Sequence, residues 1–136
     1  MKSISTISFV VMMFFCVTAQ ITNAQEKVNR TEQQQQIEKA QANRDALIAD
    51  MTNLASLAQQ YYRKPTVLGG GGNRFSGWFI PEAIDTTANG MFTAMITKDS
   101  VVFVGTGNVI GKDGKKRVQI FMSVYPDIIK SVVTRN

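Results

Sequence analysis

The hydrophobic positions of the chain follow two different periods, one on each side of a glycine-rich segment. Residues 25 to 63 contain no glycine or proline and are rich in the helix formers Gln, Ala, Glu and Leu. An apolar stripe recurs every three or four residues within them, at Ile37, Ala40, Leu47, Met51, Leu54, Ala58 and Tyr61. Beyond residue 76 the hydrophobic period changes to two. This pattern predicts one long helix over 25–64, followed by an antiparallel sheet within 77–136.

The predicted helix has two parts of different character. From Leu47 onward the apolar stripe is continuous and wide enough to pack on a sheet. Arg44 interrupts the stripe, and before it the helix is polar, with four glutamines at 33–36. An unpacked helical segment of this length is marginally stable in water. We therefore expect the first part to be an exposed helical arm in which Gln33 to Gln36 are exposed.

The second half of the chain predicts a β-meander. Its three clearest strands cover 91–97, 101–107 and 117–124, and "GWFI" at 77–80 is a candidate short strand. The last ten residues, "DIIKSVVTRN", are a candidate fourth strand at the edge of the sheet. One helix followed by a meander has a simple two-layer solution. The sequence thus predicts an α+β fold in which the helix packs on an antiparallel sheet of three or four strands.

A proline- and glycine-rich segment, 65–76, separates the two halves. Pro65 disfavours helical conformation at Lys64 and so predicts the end of the helix. Four glycines follow, Gly69 to Gly72, but a phosphate-binding glycine loop needs a helix directly after it. The sequence "NRFSGWFIP" that comes next has no helical pattern. We interpret 65–76 as a joint between helix and sheet, in which serine at Gly70 and Gly71 leaves folding almost unchanged.

The first 24 residues have the features of a signal peptide. Lys2 is followed by an apolar stretch from about residue 4 to 19. A cleavage site with small residues lies after Ala24, or alternatively after Ala19. The alternative, a retained membrane anchor, stays open, although the apolar stretch is shorter than the roughly 20 residues of a spanning helix. Either interpretation predicts export, to the periplasm, the cell surface or the medium.

Residue types restrict the chemistry that the chain can perform. It contains no histidine, and its single cysteine, Cys16, lies in the apolar N-terminal stretch. Ser-His-Asp and Cys-His catalytic arrangements are therefore impossible, and the common ligands of zinc, copper and haem sites are lacking. Asp45 and Asp50 stand five positions apart on the helix and do not share a face well. We expect a protein that is not an enzyme and has no catalytic residues, metal or cofactor.

The net charge of +5 adds little to this picture. The densest basic run is "KDGKKR" at 112–117, which is compatible with binding to phosphate or to an anionic lipid surface. Few aromatic residues accompany it, and such runs are more often solvated loops between strands. We favour the solvated loop and expect no nucleic-acid partner.

The order of the elements resembles the head of a type IV pilin or pseudopilin. The segment from "ANRDALIADMTNLASLAQQYYRKPTVLGGGGNRFSGWFIP" to "TTANGMF" more closely resembles a family of small, exported, bacterial pilin-like proteins. The resemblance runs from Ala42 to about Gly114. It implies a pilin-like fold and a structural or assembly role in the cell envelope. It does not extend to the N-terminus, because no Gly-Phe or Gly-Met junction precedes the apolar stretch, as it does in type IV pilins.

A different function also remains open, that of a periplasmic binding or adaptor module that docks through its helical arm. Aromatic and arginine side chains are favoured at protein interfaces, and the candidate partner contacts are Tyr61, Tyr62, Arg74 and Trp78. For Trp78 and Tyr61, packing in the core is the favoured explanation. Both functions predict protein partners or self-association, with membrane contact only if the N-terminal segment is retained.

We predict that the exported protein begins at Gln25, because signal peptidase cleaves after small residues that follow a short apolar region. Intact-mass measurement of the protein recovered from a bacterial envelope tests the prediction. A mass that includes the first residues of the chain would contradict cleavage and would identify the segment as an anchor.

Overall fold

In the computed structural model, the structure describes the backbone of residues 4–135 and the side chains of residues 25–132. The predicted α+β fold class is confirmed. The elements in chain order are helix α1 (Ile4–Arg63), two short 3-10 turns (Thr66–Leu68 and Glu82–Ile84) and strands β1 (Gly90–Ile96), β2 (Val101–Ile110), β3 (Arg117–Val124) and β4 (Ile129–Arg135). The predicted cleavage after Ala24 and the alternative of a retained anchor both depend on residues 1–24. The side chains of these residues lie outside the described part of the chain.

Contacts divide the chain into two units, with the boundary between Gln35 and Gln36. In the first unit, every side chain from residue 25 to 35 is exposed, as predicted for the helical arm. Arg30 forms an ion pair with Glu26 one turn earlier, and both side chains are exposed. Such exposed pairs contribute little to stability. The arm therefore has no apolar packing of its own within these residues.

The second unit holds the hydrophobic core, and α1 supplies one of its two layers. The buried helical residues recur at intervals of three and four and form one face: Ala40, Leu47, Met51, Leu54, Ala55 and Ala58. Side chains three and four positions apart lie on the same side of a helix, so this face is continuous. The predicted stripe is confirmed from Leu47 onward.

The other layer is a four-stranded antiparallel sheet with strand order β1-β2-β3-β4, the predicted meander. Alternate residues of the strands point toward the core and are buried, as the period of two requires. The largest contribution comes from Phe92, Val101, Phe103, Val118, Ile120, Met122 and Val124. Gly105 lets the helix approach this face closely, since a Cβ there would lie 2.6 Å from the sulfur of Met51.

The predicted strand at 77–80 is wrong, because the first strand of the sheet begins only at Gly90. Trp78 donates its backbone N–H to the carbonyl of Phe75, which closes a tight turn. Gly77 within that turn has a φ of +89°, outside the extended region. The aromatic and β-branched residues of the segment favour a strand locally, but the turn decides its conformation.

Side chains of α1 attach the helix to both ends of the sheet. Near its start in this unit, Gln36 donates to the carbonyl of Ile110, at the end of β2. Toward its end, Gln59 donates to the carbonyl of Tyr125 (2.9 Å) and Arg63 to that of Pro126 (3.1 Å), both between β3 and β4. Gln36 is half-buried for this reason, so the prediction of an exposed glutamine run holds for residues 33–35 only.

We predict that Leu54→Ala lowers the free energy of unfolding by about 2–5 kcal/mol, the usual cost of truncating a buried leucine. Leu54 is 2% exposed, whereas Gln35 lies on the exposed arm. Gln35→Ala is therefore the matched control and should leave stability unchanged in urea denaturation. Equal losses in both variants would contradict the division of the helix into arm and packed face.

Candidate functional site

Two of the four predicted partner contacts lie mainly in the core. Trp78 is 8% exposed and packs edge-on against Phe103, with 5.4 Å between ring centroids. The ring of Tyr62 is half-buried, 4.7 Å from the ring of Phe75, which is fully buried. The expectation that Trp78 is a core residue is confirmed. These aromatic rings join the glycine-rich segment to the helix and the sheet.

The other two contacts differ from each other. Tyr61 is half-buried, and its hydroxyl donates to the carbonyl of Ser76 at 3.1 Å, so its polar end is used within the chain. Arg74 is exposed. The structure thus gathers all four residues around the end of α1, but only Arg74 presents most of its side chain to solvent.

The glycine-rich segment caps the C-terminal end of α1. The backbone N–H groups of Gly71, Asn73 and Gly72 donate to the carbonyls of Tyr61 (2.7 Å), Tyr62 (2.8 Å) and Lys64 (2.9 Å). The last carbonyls of a helix have no partner within the helix and must find one elsewhere. Here successive loop amides fill that role, in the manner of glycine-based helix caps.

This capping role argues against an anion site in the loop. The two remaining glycines of the run also donate their amides within the chain, Gly69 to the carbonyl of Thr66 (2.9 Å) and Gly70 to that of Pro65 (3.0 Å). An anion-binding loop needs several backbone N–H groups that converge on the ligand. Every amide of Gly69 to Gly72 instead has a carbonyl partner, which agrees with the interpretation of 65–76 as a connection.

The expectation that serine is tolerated at Gly70 and Gly71 is wrong. A Cβ at Gly71 would lie 1.9 Å from the carbonyl oxygen of Arg74 and 2.7 Å from the ring of Tyr61. A Cβ at Gly70 would lie 2.2 Å from the carbonyl oxygen of Lys64. The loop folds back so closely on the helix end that these positions have room for hydrogen only. The joint is a close-packed element rather than a flexible linker.

A polar cluster, the Asp50 cluster, attaches the segment before β1 to the middle of α1. Asp50 Oδ2 accepts hydrogen bonds from Thr87 Oγ1 and from Asn89 Nδ2, both at 2.8 Å. Asn43 Nδ2 donates to the backbone carbonyl of Asn89 at 2.8 Å. Two turns of the helix thereby hold the Asn-Gly turn that precedes the strand. The sequence predicted this turn but not its attachment to the helix.

Asn43 is the buried polar residue of this cluster, with 8% of its surface exposed. Its Oδ1 is buried without a hydrogen-bond partner and points at Gly107, where a Cβ would lie 2.1 Å away. An unpaired buried amide oxygen is unfavourable, and the contact with the Cα of a glycine gives only weak compensation. In the sequence, Asn43 is a polar residue that lies on the apolar stripe between Ala40 and Leu47. This position was the available signal that its side chain is buried.

A small pocket of about 80 Å³ lies beside the Asp50 cluster. It lies between α1 and the segment that leads into β1, and its lining consists of Asp50, Asn53, Leu54, Ile84, Thr87 and Phe92. Asp50 is the only titratable group among them. Proton transfer between an acid and a base requires a second such group, and Asp45 is instead exposed and paired with Arg44 at 2.7 Å. The pocket has the volume for a few water molecules rather than for a drug-sized ligand.

Residues 112–116 of the basic run lie in the exposed connection between β2 and β3, and Arg117 begins β3, so the interpretation as a solvated loop is confirmed for 112–116. The backbone N–H groups of Lys116 (3.0 Å) and Lys115 (2.9 Å) donate to Asp113 Oδ1 and lower the pKa of this carboxyl group below its usual value. The carboxylate thus shapes the turn. Its contribution to stability is present above the ordinary aspartate pKa and decreases as the pH falls below it.

Comparison of the chain with protein-family models, curated proteins and solved structures found no match. Within the described part of the chain, no three His, Cys, Asp or Glu side chains lie close enough together to hold a metal ion. The same residues include no helix that is long and apolar enough to cross a membrane.

We predict that Gly71→Ser destabilises the protein by about 1–3 kcal/mol, because the added atoms collide with the backbone of Arg74 and the ring of Tyr61. Gly69→Asn is the matched control: Gly69 has φ +76°, a Cβ added there would meet no atom within 4 Å, and asparagine tolerates that conformation. Thermal melts of both variants test the cap. A Gly71→Ser variant as stable as Gly69→Asn would contradict it.

Proposed function

We propose that this chain is an exported, non-enzymatic structural or assembly component of the bacterial cell envelope, with a pilin-like head. The observation that carries the proposal is the layout of the fold. A face of one long helix, from Leu47 to Ala58, packs under a four-stranded antiparallel meander that follows it in the chain. This is the layout that the resemblance to pilin heads implies.

The helical arm supports a role in assembly. From residue 25 to 35 every side chain is exposed, and Val28 is the one apolar residue of the segment. A helix without an apolar face gains nothing from the core of its own domain, and bridging through solvent to another domain is one of the known uses of such helices. Its mixture of carboxylates, basic groups and amides offers hydrogen bonds and ion pairs to a protein partner.

The chemistry of the head supports a non-enzymatic role. Asp50 is the one titratable group that lines the pocket, and its Oδ2 is already engaged by Thr87 and Asn89. These contacts serve to position the turn before β1. The loop glycines likewise use their amides to cap α1. Asp50 and the amides of Gly69 to Gly72, which sequence analysis singled out, thus have structural partners within the chain.

A second candidate is a periplasmic adaptor that binds its partner through the arm alone. The exposure of residues 25–35 favours it as well. The two functions differ in what the head does. An envelope component uses the head in assembly, whereas an adaptor needs it only as a folded support for the arm.

Export is tested by fusing alkaline phosphatase to the C-terminus of the full chain in a bacterial host. This reporter is active only where its disulfides can form, outside the cytoplasm. We expect an active fusion, and an inactive one when residues 1–24 are deleted. Equal reporter activity in the two fusions would contradict the proposed role of the N-terminal segment.

The role of the arm is tested by placing a photo-crosslinking amino acid at Gln33 or Gln35 of the exported chain. Ser56, exposed on the packed part of the helix, provides the control position. We expect crosslinked protein adducts from the arm positions in envelope fractions and few from Ser56. Adducts from Ser56 alone would contradict docking through the arm.

A further inference from the structure

The Asn-Gly pair at 89–90 has a chemical reactivity besides its place in a turn. In such a pair the backbone nitrogen of the glycine attacks the carboxamide carbon of the asparagine side chain. The attack closes a cyclic imide, a succinimide, and releases the side-chain nitrogen as ammonia. Glycine favours the reaction because it has no Cβ to hinder the approach of its nitrogen. Asn89 is the single asparagine of the sequence that a glycine follows.

The folded head fixes both groups that have to meet. The side chain of Asn89 donates from Nδ2 to Asp50 Oδ2 at 2.8 Å. The peptide group between Asn89 and Gly90 is fixed through its carbonyl oxygen. This oxygen accepts from Asn43 Nδ2 (2.8 Å) and from the backbone N–H of Asn108 (3.0 Å). Ring closure requires both groups to rotate about the Cα of Asn89, so these hydrogen bonds oppose it.

The segment that carries Asn89 is suited to local opening. Residues 85–89 contain no buried side chain. Hydrogen bonds with Asp50 and Asn43 attach them to α1. Segments with few buried apolar contacts open at a lower free energy than the core does. Asn89 can therefore reach the reactive geometry while the core stays folded.

We propose that Asn89 is a site of spontaneous deamidation and that its attachment to Asp50 sets the rate. After ring closure, water opens the succinimide on either side of the glycine nitrogen and gives aspartate or isoaspartate. In total, the carboxamide and one water molecule give a carboxylic acid and ammonia, which ionise to carboxylate and ammonium. Water is the only co-reactant. Neither export nor the helical arm enters this chemistry.

The products no longer fit the Asp50 cluster. Asn89 Nδ2 is a donor to Asp50, whereas both oxygens of an ionised carboxylate are acceptors. Two carboxylates would then face each other at hydrogen-bond distance, and their like charges repel. In isoaspartate the main chain gains one atom directly before Gly90, whose pairing with Gly107 begins the ladder of β1 and β2. Deamidation thus detaches the segment, and the loss of ammonia makes the change one-way.

The rate is measured on the full chain kept at mildly alkaline pH and physiological temperature. Peptide mass spectrometry follows the conversion of Asn89 to aspartate and isoaspartate. We expect slow conversion in the wild type, several-fold faster conversion in Asp50→Ala, and the fastest in a synthetic peptide of residues 84–93. Asn108, which a valine follows, is the internal reference and should stay unchanged.

Val124→Ala is the matched control that separates local opening from global unfolding. Val124 is fully buried and pairs with Val101, at the opposite end of the sheet from Gly90. Its truncation lowers the stability of the head but leaves the Asp50 cluster intact. We expect Val124→Ala to convert Asn89 at the rate of the wild type, as circular dichroism verifies that each variant is folded.

Four results would overturn the proposal. Asn89 would stay unchanged in both the wild type and Asp50→Ala, or the wild type would react as fast as the peptide. Val124→Ala would react as fast as Asp50→Ala, or Asn108 would react as fast as Asn89.

The effect of the product is measured separately with Asn89→Asp. Asn89→Ala is its control, because alanine removes the donor without adding a charge. We expect Asn89→Asp to melt roughly 4–8 °C below Asn89→Ala, the size of shift that one unfavourable interaction gives in a domain of this size. Combining it with Asp50→Asn restores a donor opposite the carboxylate and should recover most of the loss. Equal melting temperatures of the two single variants, or a double variant no more stable than Asn89→Asp, would contradict the repulsion.

Discussion

The contact between the apolar face of α1 and the inner face of the sheet is the interaction on which the rest of the structure depends. The chain has one cysteine and cannot form an intramolecular disulfide, so its stability has to come largely from buried apolar surface. Leu47, Met51 and Leu54 supply that surface from the helix. Gly105, opposite Met51, leaves space for the helix to lie close to the strands.

The polar contacts of the head fix α1 and the sheet in one arrangement. Gln36 and Arg63 tie the two ends of the packed helix to the carbonyl groups of opposite ends of the sheet. The Asp50 cluster holds the segment before β1, and the glycine-rich loop completes the hydrogen bonding of the helix end. A head fixed in this way keeps one constant shape, which the proposed role as a structural or assembly component requires.

Sequence analysis predicted the elements whose signal is periodic: the stripe from Leu47 to Ala58 and the meander. It could not predict contacts that depend on distant segments meeting, such as Asn43 with Asn89, or loop amides with the carbonyls of Tyr61 and Tyr62. The local sequence therefore predicted a flexible joint, whereas contacts with the end of the helix make Gly70 and Gly71 closely packed. The prediction of a short strand at 77–80 is wrong because a tight turn, rather than the strand propensity of these residues, decides the backbone conformation there.

The most direct test of the account is amide hydrogen exchange along α1. Its central claim is that one helix has two parts, a packed face in the head and an exposed arm, which we propose as the part that binds partners. Amides from Met51 to Ala58 should then exchange only through global unfolding, and those of residues 25–35 nearly as fast as in an unfolded peptide, since an unpacked helix is marginal in water. Equal protection along the whole helix would contradict the claim.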